Sequence, residues 1–178
     1  QGLAELSEVY KVELLMNKAG VSPKDRPVVE AALRRARETG GPAMAMQLPN
    51  GEIVLGKTSP LLGASSACLL NALKKLGDID QDVLLISPEV IEPIQKLKVY
   101  HMGNRNPRLH TDEVLIALAI CAVADPMAAR AIEQLPKLNG CEAHATVILS
   151  RVDENVLQKL GINLTCEPKY QTQKLYHK

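Results

Sequence analysis

The groups able to hold an anion fall in two stretches of the chain, and the groups able to move a proton lie within the second and beyond it. The first stretch, residues 47–77, reads QLPNGEIVLGKTSPLLGASSACLLNALKKLG. Within it, residues 51–58 (GEIVLGKT) satisfy the spelling of a phosphate-binding loop, G-x-x-x-x-G-K-[ST]. Such a loop needs a glycine-rich turn between a buried strand and a helix. Here the residues between the two glycines are Glu52, Ile53, Val54 and Leu55, of which the last three favour strand. Asn50-Gly51 is the strongest short hairpin signal, because both residues tolerate positive φ. The spelling is therefore expected to be a β-hairpin, with strands over 43–48 and 52–56, and no nucleotide loop.

Beyond the hairpin, Lys57, Thr58, Ser59, Ser65 and Ser66 surround the start of a small-residue helix that ends at Gly77. A helix start offers free N–H groups and a positive dipole end, so these residues are candidates to bind an anion. They also fit a plain cap, with Ser59 before Pro60 and small side chains that let the helix pack closely. The second stretch, residues 101–112 (HMGNRNPRLHTD), is an irregular loop marked by Gly103, Pro107 and two asparagines. Arg105 and Arg108 suit a clamp on carboxylate or phosphate, and His110 suits acid/base work near neutral pH. Equally, Thr111 followed by Asp112 and Glu113 is a well-capped helix start beside surface arginines. Further on, Glu142, His144 and Thr146 share one face of a strand whose other face is apolar. Glu142 and His144 are candidate catalytic groups with His110. They fit a hydrogen-bonded pair, a metal ligand set completed by His110, Asp112 or Glu113, an acid/base couple or a solvated sheet edge. No metal site is assigned, since one histidine and one glutamate do not specify a metal.

Composition narrows the setting. Of 178 residues, 46% are hydrophobic but only 2% aromatic, all tyrosine, so the core must be aliphatic. The formal net charge of +1 supplies no field to gather nucleic acid or an acidic membrane. Scarce aromatics also argue against stacking on single-stranded nucleic acid. Cys68, Cys121, Cys141 and Cys166 are far apart and form no C-x-x-C pair, which points to reduced thiols in a cytoplasmic protein. The longest apolar run, residues 114–124, is too short to span a bilayer. The chain opens on Gln1 rather than Met, and it is expected to be part of something longer.

The elements that must position these groups follow from pattern. Residues 1–26 hold an amphipathic helix expected to link to a preceding domain. Residues 27–168 are expected to form an α/β domain, and 169–178 a polar, extended tail. Helices are predicted over 27–39, 64–76, 88–100, 112–124, 127–135 and 153–160, the last capped by Asp153. Buried strands are predicted at 83–86, 141–149 and 162–166, besides the hairpin. Five short strands alternating with helices imply a mixed sheet with helices on both faces, a three-layer α/β sandwich.

The runs NGEIVLGKTSPLLGASSACLLNALKKLG, LLISPEVIEPIQKLK, GNRNPRLHTDEVLIALAICA, EQLPKLNGCEAHATVILS and KLGINLTCEP resemble the C-terminal third of a bacterial family of unknown function. It is the domain-of-unknown-function family eighteen-forty-six. The resemblance covers most of residues 27–168 and implies a C-terminal subdomain of a longer chain, with a layered α/β fold arranged like that of cytidine deaminases. Some members have been labelled ATP-dependent peptidases. The deaminase signature, H-x-E with P-C-x-x-C, is absent, and the family supplies no catalytic residues to carry over.

Two functions are consistent with these observations. One is an enzyme domain for a small anionic or phosphorylated substrate, held by Lys57, Thr58, Ser59, Ser65, Ser66, Arg105 and Arg108, with His110, Glu142 or His144 moving protons. The other is a non-catalytic domain that packs against the N-terminal part of the full-length chain or forms a homo-oligomer. No cofactor is indicated. If both stretches line one pocket with Glu142 and His144, the enzyme gains; if they lie on separate faces, packing gains.

Overall fold

A computed structural model describes residues 4–171. In chain order the helices and strands are α1 (Leu6–Ala19), α2 (Pro27–Thr39), β1 (Ala43–Gln47), β2 (Ile53–Lys57), α3 (Ala64–Leu76), α4 (Pro88–Lys96), α5 (Thr111–Cys121), α6 (Pro126–Ile132), β3 (Glu142–Ala145), α7 (Arg151–Lys159) and β4 (Asn163–Cys166). The fold is α/β, with one mixed sheet of order β2-β1-β3-β4.

The hairpin forms where Asn50-Gly51 places it. β1 and β2 run antiparallel, with Gln47 opposite Ile53 and Ala43 opposite Lys57. Gly51 turns the chain at φ 85°, in the left-handed region that glycine occupies freely. Residues 51–58 are thus turn and strand, with Gly56 and Lys57 inside β2. Gly56 has a different task. A Cβ built there would lie 2.2 Å from the Cys68 nitrogen and 2.4 Å from the Ala64 oxygen. The backbone of α3 lies against β2 at a distance that leaves no space for any side chain.

Alternation along the strands separates two apolar clusters. Ala45 packs with Val28, Ala31 and Ala32 of α2. Met44 and Met46 point the other way, into a larger core with Leu69 and Leu73 of α3, Leu118 of α5 and Leu157 of α7. β3 pairs antiparallel with β1, and β4 pairs parallel with β3 after the α7 crossover. The core is aliphatic, as the composition requires.

Several expected elements differ. Among the described residues the sheet has four strands, because residues 83–86 form no strand. Leu85 and Ile86 are buried while Leu84 is 64% exposed. A short apolar run satisfies a bend that drops two side chains into the core as well as it satisfies a strand, and periodicity alone does not separate them. α3 spans 64–76 as expected, and the alternative cap at Ser59 does not form; its hydroxyl accepts hydrogen bonds from the Leu61 and Leu62 nitrogens. The cap of α5 is His110, and that of α7 is Ser150, whose hydroxyl accepts from the Asp153 nitrogen. α1 forms as an amphipathic helix, but none of its residues is buried. The tail expected over 169–178 lies outside the described residues beyond Gln171. Within them, the Lys169 oxygen accepts a hydrogen bond from the Ile148 nitrogen.

Candidate functional site

A narrow cleft lies at the end of the sheet where β2 and β3 finish, the end at which α/β sheets commonly place ligands. Thr58 follows β2, and residues 147–150 follow β3; both border the cleft. The two polar stretches of the sequence meet here. Leu62 and Leu109 form a parallel bridge, the Leu109 nitrogen donates to the Leu61 oxygen at 3.0 Å, and the Arg108 Nε donates to the Ser59 oxygen at 2.7 Å. Ser65, Asn106, Arg108 and His110 therefore share one wall system with Thr58.

Three helices of nine or more residues point their N-termini at this cleft. Gly63, His110 and Ser150, the N-cap residues of α3, α5 and α7, all line it. Each contributes free N–H groups and the positive end of a helix dipole. Two of the three are partly satisfied internally. Asp153 accepts from the Thr111 nitrogen of α5 at 2.9 Å, and Ser150 caps α7. α3 has no side-chain cap. Ser65, in its first turn, is 2% exposed, and its hydroxyl makes no hydrogen bond among the described residues.

His110 is held by its Nδ1, 2.9 Å from Asp153 Oδ2 and 3.2 Å from Ser150 Oγ; Ser150 in turn donates to the same carboxylate oxygen at 2.7 Å. Burial works against a charged imidazole, but the Asp153 carboxylate outweighs it and raises the His110 pKa. Burial likewise opposes the Asp153 charge, and the His110, Thr111 and Ser150 hydrogen bonds outweigh it, lowering the carboxyl pKa. The backbone beneath His110 is fixed by a partly buried ion pair. Glu113 Oε2 accepts from the His110 nitrogen at 2.8 Å and from Lys98 Nζ at 2.6 Å. Lys98, 2% exposed, also donates to the Arg108 oxygen at 2.7 Å. It projects from a π-helical turn, Leu97–His101, that continues α4.

The remaining sequence candidates lie elsewhere. Ser66 donates to the Leu109 oxygen at 2.9 Å and stitches the two loops together. Lys57 and Arg105 are exposed and do not line the cleft. Glu142 and His144 are not brought to His110: His144 lies opposite Ala45, on the face that α2 covers. There Glu142 pairs with Arg26 at 2.5 Å and accepts from Asn163 at 2.8 Å. Arg26 also bonds the Thr165 hydroxyl. His144 sits between Thr165 at 2.8 Å and Glu167 at 3.2 Å. Burial lowers its pKa, Glu167 only partly opposing this. Asp153, Ser150, Asn106 and Lys98 were not among the sequence candidates. Ser150-x-x-Asp153 is itself a helix-start pattern and could have exposed two of them; a lone lysine within an amphipathic helix gives no comparable signal.

The family model described as "Domain of unknown function DUF1846, C-terminal" matches residues 24–176. The chain belongs to this family. Similar proteins include the UPF0371 proteins of Streptococcus pneumoniae strains CGSP14, 70585 and ATCC BAA-255 / R6. Each is 58% identical over 170 residues, covering 96% of this chain and 34% of the relative. The chain therefore spans about a third of the length of the curated relatives it matches. Among the described residues of this DUF1846 C-terminal domain, no helix is long and apolar enough to cross a membrane.

Proposed function

We propose that this domain holds a small anionic substrate in the cleft at the sheet end and moves a proton on it through His110. The observation that carries the reading is the uncapped N-terminus of α3, with the unpartnered Ser65 hydroxyl, in the same cleft as an imidazole fixed by Asp153. The anion takes the α3 N–H groups and Ser65, with Thr58 and Arg108 at its sides. Asp153 holds His110 by Nδ1, which leaves Nε2 for the ligand as a general acid or base. Glu142 and His144 belong to a separate network on the other sheet face and take no part. We read the layers as α2, sheet, and the helices around α3. The unpaired cysteines, with Cys68 pushed up to about 12 by burial, suit a cytoplasmic setting.

An affinity screen of anionic metabolites against the full-length protein tests this. A hit is expected to bind about tenfold more weakly to Ser65→Ala, the loss of one hydrogen bond to a charged ligand. His110→Ala is expected to weaken it as well. A hit indifferent to both substitutions, or no hit, removes the reading.

A second reading, a packing or oligomerisation domain, is favoured by α5. Its outer stripe leaves Ile116 62%, Ile120 65% and, just past its end, Val123 88% exposed. A helix apolar on all sides is ordinarily covered. If the stripe is an interface, Ile120→Lys shifts the full-length protein to a smaller species in sedimentation; an unchanged profile leaves this face free.

A further inference from the structure

The cleft is small. About 30 Å³ of it is open to water-sized atoms, where one such atom needs roughly 10–15 Å³. It accepts a compact charged group and excludes a ring. A wider groove adjoins it. Pro42, Val147 and Gln171 border both the cleft and this second groove of about 510 Å³. That volume is in the range of sites for whole metabolites, about 300–1,000 Å³.

The groove differs in chemistry from the cleft. Leu33 and Ala36 of α2 give it an apolar side, Tyr170 gives it an aromatic one, and Arg37 and Lys169 add positive charge. Lys169 is placed by its backbone, whose oxygen accepts from Ile148. Gly40 and Gly41 form the bend between α2 and β1 that leaves the groove open: a Cβ built on either meets no atom within 4 Å. The head of a ligand would rest on the α3 N–H groups, Ser65 and Arg108, while the Asp153 carboxylate in the same cleft is engaged by His110, the Thr111 nitrogen and Ser150. Such a site suits a group with several acceptor oxygens and no proton to give.

Resting on the reading of the cleft as an anion site, we propose that the two cavities form one site for an organic phosphate monoester, with its phosphate in the cleft and a sugar- to nucleoside-sized body in the groove. The phosphate supplies oxygens to the N-terminus of α3 and to Ser65. The body passes Pro42 and Val147, lies along Leu33 and Ala36, and presents its polar edge to Lys169.

Titration calorimetry of the full-length protein with inorganic phosphate, ribose 5-phosphate and uridine 5′-monophosphate tests the proposal. At least one ester is expected to bind about tenfold or more tightly than inorganic phosphate, since only an ester reaches both cavities. Gly41 has an ordinary backbone conformation and open space beyond it, so Gly41→Trp is expected to fill the groove and erase that advantage, leaving inorganic phosphate as before. Ser65→Ala is expected to weaken all three ligands. Equal affinity for phosphate and both esters, or an advantage that survives Gly41→Trp, overturns the two-cavity site while leaving the anion cleft intact. Failure of all three ligands to bind overturns the phosphate assignment; the anion reading then stands only if the metabolite screen yields a carboxylate that depends on Ser65. Weakened binding of every ligand in Gly41→Trp, with circular dichroism unchanged, places the phosphate in the groove and also overturns it.

Discussion

Gly56→Ala is expected to destabilise the domain by about 3 kcal/mol or more, the upper end of what overpacking costs. The added methyl would meet the Cys68 nitrogen at 2.2 Å, the Ala64 oxygen at 2.4 Å and the Cys68 Cα at 2.6 Å. All three are backbone atoms of α3, so no side-chain rotation relieves the clash. The helix must lift from β2, and Cys68, Leu69 and Leu73 lose their packing on Met44 and Met46. Urea unfolding measures the effect as a drop in midpoint. Gly41→Ala is the internal comparison: it meets nothing within 4 Å and is expected to change stability by less than about 0.5 kcal/mol. Equal behaviour of the two variants would mean that α3 does not lie on β2 as described. The second glycine of the phosphate-loop spelling is thus explained by helix-on-strand contact, with no phosphate involved.

Asp153→Ala is expected to cost about 3 kcal/mol, in line with breaking a buried charged pair by removing one partner. Asp153 is 5% exposed. Without it, the Thr111 nitrogen, the Ser150 hydroxyl and His110 Nδ1 lose a shared acceptor. The pair also shapes the pH dependence. The folded His110 pKa is raised above its usual 6.5, so its contribution is fully present below about pH 6.5 and is lost as pH rises through the folded value. The folded Asp153 pKa is lowered below its usual 3.8, so its contribution is present above that pH and lost as pH falls through the folded value. The pair therefore stabilises most between about pH 4 and 6.5. His144, with its lowered pKa, acts in the opposite sense at the upper edge of this window, which is why the comparison must be made by difference. Subtracting the pH profile of Asp153→Asn from that of the unaltered protein is expected to isolate the window. A difference flat from pH 4 to 8 would show that the two side chains do not interact.

Local chemistry explains what the sequence made legible. Asn50-Gly51 dictates a turn whatever surrounds it, and so the hairpin could be read with no knowledge of α3. Pro27 at the start of α2, and Asp125-Pro126 at the start of α6, likewise act within a few residues. Glu142 and His144 were correctly set on one face of β3, yet which helix covers that face depends on α2, more than a hundred positions away in the chain. For the same reason the cleft was half visible. Ser65, Arg108 and His110 stood out by type, whereas Asp153 looked like an ordinary helix cap, because a carboxylate near a helix start is usually that. Lys98 was hidden in an amphipathic helix whose π-turn swings it inward. Residues 83–86 misled because burial alone produces an apolar run, and a strand additionally needs a neighbour with free backbone groups.

The central seam of the sheet joins Met44 to Ala145, so its two halves are separated by about a hundred residues, a large loop to close during folding. On the ribosome, the hairpin and α3 emerge long before β3 exists, with Met44 and Met46 only half covered. Until β3 arrives, β1 presents an unpaired edge that invites pairing with a neighbouring nascent chain. Completing the sheet thus waits on the last third of the chain, and the exposed edge of β1 is the price of that order.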